Sequence, residues 1–286
     1  MKFLVTGGAG FIGSNLTKFL CDRGHEVIVV DDLSWGYRRL VDPRAKFIKG
    51  QIQDRRLMEK ILPKTDVVFH LAALSTINLS LKKPVFYFEN NVLNAIQLLE
   101  AMRKTGVNRI VYSSTSSVYG EPKRLPIRED DSKEAISPYG GSKFAFENVL
   151  SAYYHSFGIN SVSLRYFNVY GPNDEQKDNP RAVPTWIKQA LTGAPLRVFW
   201  RGKQEKDYIF VGDIVRANWL AARHCRGRRY YNVGSGRSVI MNDIIKMLEK
   251  IFGKKLPINH AGERAGDAQR VVGDNSKLKK ELGWRQ

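Results

Sequence analysis

The feature that most constrains this chain stands at its start. Phe3-Leu4-Val5 is a short apolar run, and Thr6-Gly7-Gly8-Ala9-Gly10-Phe11-Ile12-Gly13 follows at once. Gly7, Gly10 and Gly13 occupy three positions with separate physical tasks. The first permits a tight turn, the second lets backbone approach a pyrophosphate, and the third lets a helix pack closely on the strand before it. Ile12, Leu16, Phe19 and Leu20 then share one helical face. The helix start offers unpaired N–H groups and a positive dipole end to phosphate. The next apolar run, 27–30, ends in Asp31-Asp32. Asp31 is placed to hold both hydroxyls of a ribose, and its charge repels a 2′-phosphate, so NAD is favoured over NADP. A glycine triplet alone is a weak signal. With a strand before it, a helix after it and an acid at the next strand end, it predicts a dinucleotide site.

The rest of the first two-thirds alternates in the same way. Segments 3–5, 27–30, 46–48, 67–71 and 109–112 read as strands. Between them lie helical patterns, one with Val92, Ala95, Ile96, Leu99 and Met102 on a common face. Alternation of this kind predicts an α/β fold: a Rossmann-type, doubly wound parallel sheet that binds ligands at the carboxyl ends of its strands. The pattern loosens after Tyr170, where Gly171-Pro172-Asn173-Asp174 and Asn179-Pro180 read as turns. Residues 1–167 are therefore expected to form the NAD-binding domain, and 168–286 a smaller C-terminal substrate-binding lobe. Segments 208–211 and 230–233 read as strands, with 207–236 returning to the main sheet. The tail, 238–286, reads as mostly helical with loops.

Composition bounds the function class. Hydrophobic residues are 43% of the 286, enough for a real core. No apolar run is long enough to span a bilayer, and no signal peptide is recognisable, so a cytoplasmic location without a membrane partner is expected. Cys21 and Cys225 lack metal-ligand spacing and are too few for a disulfide framework. The net charge of +18 is high, but the basic residues are spread along the chain, densest at 223–229. No basic patch is interleaved with aromatics, so nucleic acid is not the expected partner. The charge fits a basic surface or an anionic small substrate.

Ser137-Pro138-Tyr139-Gly140-Gly141-Ser142-Lys143 opens a long amphipathic helix. Ser137 can cap it, and Pro138 suits its first position. Tyr139 and Lys143 are four apart and share a face. A tyrosine with a pKa of about 10 is a poor base, but a nearby ammonium and a positive nicotinamide favour its phenolate. The pair could then take a hydroxyl proton while the cofactor takes a hydride. Ser113-Ser114-Thr115-Ser116-Ser117 ends the fifth strand, where a hydroxyl could bind the same substrate oxygen.

With these motifs the chain resembles the extended short-chain dehydrogenases of the nucleotide-sugar epimerase/dehydratase group. Within the group it is most similar to the 4-epimerases acting on UDP-glucose and UDP-galactose. The likeness extends through His70-Leu71-Ala72-Ala73, Asn90-Asn91-Val92, Val118-Tyr119-Gly120, Leu164-Arg165-Tyr166-Phe167-Asn168-Val169-Tyr170-Gly171-Pro172, Lys206-Asp207-Tyr208, Asn232-Val233-Gly234 and Arg264-Ala265-Gly266-Asp267. The resemblance implies that Tyr139 is the base, Lys143 its partner and a ribose contact, and Thr115 the hydroxyl on the sugar oxygen. It implies that Leu71, Ala72 and Ala73 line the cofactor site with Asn91 nearby, and that Phe167 sits by the nicotinamide. Phe11, Ile12, Asp32, Ser34, Ile52, Ser113 and Tyr166 are expected at the cofactor as well. Asn168, Lys206, Arg264 and Asp267 are expected to hold the substrate, the last two at its diphosphate and ribose.

Three departures stand out. Gln51 replaces an Asp that accepts from the adenine amino group, Lys206 replaces an Arg, and Phe199-Trp200-Arg201-Gly202 replaces a Gly-Asp-Gly turn. Ser116 and Ser117 stand where dehydratases of the group carry an Asp-Glu pair. Hydroxyls cannot supply that acid/base chemistry, so oxidation and re-reduction, the needs of an epimerase, are what remain. A UDP-sugar partner and a homodimer are expected. A GDP- or dTDP-sugar epimerase or reductase is the rival enzyme. A non-catalytic NAD- or RNA-binding Rossmann protein is the rival outside enzymes, and it would need neither Tyr139 nor Lys143.

Overall fold

The computed structural model describes residues 1–175 and 181–286; the expected turn at Asn179-Pro180 lies outside them. The first half builds β1 (Lys2–Thr6), α1 (Phe11–Asp22), β2 (Glu26–Asp31), β3 (Lys46–Lys49), α2 (Arg55–Ile61), β4 (Val67–His70), α3 (Ile77–Lys82), α4 (Pro84–Phe88), α5 (Asn94–Thr105) and β5 (Arg109–Thr115). It continues through α6 (Pro138–Phe157), β6 (Asn160–Tyr166), β7 (Asn168–Tyr170), α7 (Ala182–Thr192), β8 (Leu196–Val198), β9 (Glu205–Lys206), β10 (Tyr208–Phe210) and α8 (Val211–Arg223). The end carries β11 (Arg228–Val233), β12 (Val239–Ile240), α9 (Met241–Phe252), β13 (Ile258–His260), β14 (Arg270–Val271) and α10 (Ser276–Leu282).

Seven strands form one parallel sheet in the order β11-β6-β5-β4-β1-β2-β3. Both its faces are buried. Alternate residues such as Phe3, Val5, Val29 and Val111 point to a layer of α1, α8 and α10. Leu4, Ile28, Val30 and Tyr112 point to a layer of α2, α5 and α6. Such side chains each contribute roughly 1.5–3 kcal/mol on full burial, and two covered faces explain why these strands read as continuous apolar runs. The chain leaves β1 toward β2 on one side and returns at β4 on the other, which opens a crevice at the carboxyl ends of β1 and β4.

β6 was not among the strands expected from the sequence. Val162, Leu164 and Tyr166 face the α1/α8 layer, but Ser161, Ser163 and Arg165 are buried on the opposite side. Its alternation of polar and apolar residues was a usable strand signal, but it implies a solvent-facing side that the fold does not have. Segment 230–233 lies in β11, the outermost strand, whereas β10 pairs with β7 in a separate two-stranded ladder. The tail is not only helical: β12 and β14 flank β9, and β13 pairs with β8. A further core of Trp186, Ala190, Leu196, Val198, Met241, Ile245 and Leu248 holds α7, β8 and α9 together. Between α4 and α5 the helix widens into a π turn over Glu89–Leu93, which takes Val92 out of the regular α register expected for it. No helix of the described residues is long and apolar enough to cross a membrane.

Candidate active site

A cavity of about 750 Å³ runs along the carboxyl ends of the strands and up against α7, β8 and the 264–268 segment. Every residue expected at the site lines it except Asn91. The glycine turn forms its floor. Gly7 has φ +72°, and a Cβ there would stand 2.6 Å from Ala72 N. A Cβ on Gly13 would stand 2.2 Å from Gly7 O, so that position admits no side chain. Gly10 is different: a Cβ would meet only Gly7 O, at 3.3 Å, and would otherwise project into open space. That open face, beside the start of α1, is the shape a pyrophosphate needs. Asp31 accepts from Ala9 N at 3.0 Å and Leu33 N at 2.8 Å, which fixes its carboxylate at the rim. Asp32 accepts from Ser34 N at 2.9 Å. The floor and its acid therefore fit NAD.

Asn91 is buried in the π turn and does not reach the cavity. Its Oδ1 accepts from Leu74 N at 2.9 Å, and its Nδ2 donates to Leu74 O and Ser142 Oγ, both at 3.0 Å. The whole amide is spent on tying the loop after β4 to α6. Asn90 and Asn94 line the cavity instead. Gln51 faces the cavity, but its Oε1 already accepts from Gln53 Nε2 at 3.1 Å.

The residues expected to be catalytic come together where α6 meets the end of β5. Ser137 caps α6 by accepting from Gly140 N at 3.2 Å, and Pro138 occupies the first turn. Tyr139 and Lys143 then point together toward β5. The Tyr139 phenol is hydrogen-bonded to Thr115. Lys143 is buried, donates to Ser113 O at 2.7 Å, and lies 4.8 Å from the Tyr112 ring centre. Ser113 Oγ donates to His70 O at 3.1 Å, joining β5 to β4. Tyr87 buttresses Tyr139 edge to face at 6.5 Å, its own hydroxyl donating to Thr76 O at 2.7 Å.

The Lys143 ammonium together with a bound nicotinamide was expected to favour the Tyr139 phenolate. Among the protein's own groups, burial raises the Tyr139 pKa above its ordinary value, with the Thr115 bond and the Arg181 charge opposing. Burial also pushes Lys143 down to about 7, against the pull of Glu147. Both charged forms lose hydration, so the pair alone does not store a phenolate.

The opposite wall belongs to the C-terminal segments. Asn168 donates from Nδ2 to Asp207 O at 3.1 Å. Phe167 packs against Gly273 and Gly234, where a Cβ would stand 2.5 Å and 3.1 Å from its ring. Lys206 is buried, paired to Asp267 at 2.8 Å and bonded to Ala268 O. Its charge is thus already neutralised within the protein. Arg264 is half-buried, donates to Asn78 Oδ1 at 3.0 Å, and lies 5.7 Å from the Phe199 ring.

The sequence 3–234 matches the NAD dependent epimerase/dehydratase family. The chain belongs to this family. It is 36% identical to the UDP-glucose 4-epimerase of Lactobacillus helveticus, covering 100% of this chain and 92% of that one. Its fold superposes on the UDP-glucose 4-epimerase of Thermotoga maritima, solved with UDP-glucose, with a TM-score of 0.95 at 36% identity, covering 100% of this chain and 93% of that one. The UDP-glucose 4-epimerase of Thermus thermophilus, solved with NAD, gives a TM-score of 0.92 at 36% identity, covering 100% and 94%.

Two cavity-lining arginines of this family member escaped the sequence reading. Arg181 pairs with Asp174 at 3.1 Å and lies 5.0 Å from the Phe11 ring. Nothing in its neighbourhood signalled it. Arg197 lies 5.1 Å from the Phe199 ring, on the side opposite Leu196 and Val198. That alternation in Leu196-Arg197-Val198 was a usable signal for a strand presenting one polar side chain.

Proposed function

We propose that the protein interconverts the C4 epimers of a UDP-sugar, UDP-glucose and UDP-galactose foremost, with NAD retained through the cycle. The observation that carries this reading is the convergence of Tyr139, Thr115 and Lys143 on one cavity whose other end is the Gly10–Asp31 cradle. Relatives and solved structures at 36% identity over the full chain support the same assignment. Residues 1–167, with the part of 207–236 that returns to the main sheet as α8 and β11, are read as the cofactor domain and the rest of 168–286 as the substrate lobe.

NAD, when bound, supplies the two-electron acceptor and donor for the sugar's C4. Tyr139 takes the C4 hydroxyl proton and later returns it. Thr115 hydrogen-bonds the same oxygen, and Lys143 holds Tyr139 and the cofactor ribose in register. The 4-keto sugar turns over in the cavity while the nucleotide stays anchored at the opposite wall. Ser116 and Ser117 provide no acid/base pair for elimination. Arg264 and Asn168 are assigned to the substrate, and Leu71, Ala72, Ala73 and Phe167 to the cofactor. A homodimer is part of the same reading, supported by exposed Val85, Phe88 and Leu93 along α4 and the turn after it. Cytoplasmic placement suits Cys21 and Cys225, which are buried and unpaired.

The test is incubation of purified protein with a panel of UDP-, dTDP- and GDP-sugars without added NAD. UDP-glucose and UDP-galactose should interconvert with no change in product mass. Loss of water or carbon dioxide, or turnover confined to another nucleotide, would replace this reading.

A further inference from the structure

Lys143 sits one turn before Glu147 on α6, on the same face of the helix. Glu147 is buried, and both its oxygens are engaged. Ser114 Oγ donates to Oε1 at 2.6 Å, Arg165 Nε donates to Oε1 at 3.0 Å, and Arg165 Nη2 donates to Oε2 at 2.6 Å. Arg165 is itself buried and gives its remaining bonds to Tyr119 Oη at 2.7 Å and Glu129 O at 3.1 Å. Tyr119 in turn donates to Asn232 Oδ1 at 2.7 Å. The network binds the ends of β5, β6 and β11 to the middle of the catalytic helix.

A buried ion pair is a costly way to join secondary structures, because apolar residues of equal volume do it as well or better. Its position offers a reason. β5 presents Ser114 to Glu147, while the neighbouring Ser113 carbonyl takes the Lys143 ammonium and Thr115 meets Tyr139. We infer that Glu147 is a positioning residue that favours the charged form of Lys143 beside Tyr139, with Ser114 and Arg165 holding the carboxylate in place.

The proposal rests on the epimerase reading for the need of a charged Lys143. The other groups around the ammonium do not supply the charge. From β4, His70 is buried and held neutral, its pKa pushed down to about 3 by burial and by Lys143 itself. From β5, Tyr112 presents only its ring, and burial raises its hydroxyl pKa. Tyr139, on α6 itself, has its pKa raised by burial. Arg165, on β6, is positive and bonded to the carboxylate. Glu147 is the group that pulls the Lys143 pKa upward against burial.

Without the carboxylate, Lys143 loses its proton at lower pH, so activity and NADH affinity fail earlier on the alkaline side. Glu147→Gln should move the alkaline limb of the kcat/KM profile down by about one pH unit. The alkaline weakening of NADH binding, read by fluorescence titration, should move with it. Glu147→Asp keeps the charge and should leave the limb near its native position. Because Glu147→Gln strands a buried guanidinium, Glu147→Leu combined with Arg165→Leu serves as the variant that keeps the fold, and it should show a smaller shift in the same direction, since the opposing guanidinium charge is removed with the carboxylate. A uniform loss of activity at every pH with an unmoved limb in these variants would overturn the proposal and reduce the pair to a brace. If no nucleotide sugar is turned over by the native protein, the function reading fails, and the NADH titration still decides the role of Glu147.

Discussion

The cavity has two walls built by different means. The wall made by β1, β4, β5 and α6 is set by backbone. Gly7 and Gly13 are fixed by contacts that leave no room for a Cβ, Asp31 is fixed by two amide donors, and Tyr139 and Lys143 by helical spacing. The wall made by α7, β8, β9 and the 264–268 segment is set by side chains on strands of two or three residues. Its charges are satisfied largely by each other, as in Lys206–Asp267 and Arg181–Asp174. The first wall leaves little freedom for a different ligand. The second could be retuned by single substitutions without disturbing the sheet, and the departures from the family pattern at Lys206 and 199–202 fall there.

The largest effect should come from the backbone-built wall. Tyr139→Phe removes one oxygen and should lower turnover by about 10²–10⁴-fold, with the melting temperature and NADH affinity near native. The change leaves the Tyr87 contact and the α6 packing in place. Near-native turnover on the true substrate would move the base to another residue and break the contrast between the walls.

The next effect tests whether Lys206 holds the protein or the ligand. Its pairing with Asp267 and Ala268 makes it a candidate strut as well as a residue expected at the substrate. Lys206→Ala should destabilise the fold by about 3 kcal/mol, because it leaves a partly buried carboxylate unpaired. NADH affinity in the surviving folded protein should be unchanged. An unchanged melting temperature with a raised KM for the nucleotide sugar would return Lys206 to the ligand.

A smaller effect is expected at Arg264. It is half-buried, and no carboxylate partner is paired with it among the described residues, its contacts being Asn78 and the Phe199 ring. A charged hydrogen bond to phosphate is worth about 1.5–3 kcal/mol, so Arg264→Ala should weaken inhibition by free UDP about tenfold or more. An unchanged inhibition constant would remove Arg264 from the nucleotide site.

The same division explains what could be read from the sequence. The glycine turn, the acid at the end of β2 and the Tyr139–Lys143 spacing are local patterns, and local patterns survive in a linear string. β6 was missed although Ser161, Ser163 and Arg165 alternate with Val162, Leu164 and Tyr166, a period-two strand signal; what spacing does not show is that the polar side is buried as well. Asn91 was assigned near the cofactor from its motif, yet the direction of its side chain is set by the π turn, which spacing does not reveal. Lys206 owes its pairing, and Glu147 its anchoring by Arg165, to partners 61 and 18 residues away. Contacts at that separation are set by the folded topology, and no spacing rule reaches them.

The smallest effect lies at the edge of the backbone-built wall, at Gln51. The family resemblance implies a carboxylate there, which can only accept; an amide can also accept, but it can be diverted. Here Gln53 Nε2 occupies Gln51 Oε1 at 3.1 Å, so an adenine amino group would have to compete for the same oxygen. Both side chains are at the surface, and a single neutral hydrogen bond nets about 0.5–1.5 kcal/mol. The competition should therefore cost a few-fold in affinity. Gln53→Ala should tighten NADH binding by about that factor by freeing the acceptor, Gln51→Asp should tighten it similarly, and Gln51→Ala should loosen it. Fluorescence titration with NADH resolves such factors. If all three variants bind as the native protein does, the adenine makes no use of position 51, and the affinity resides in the Gly10 cradle and Asp31.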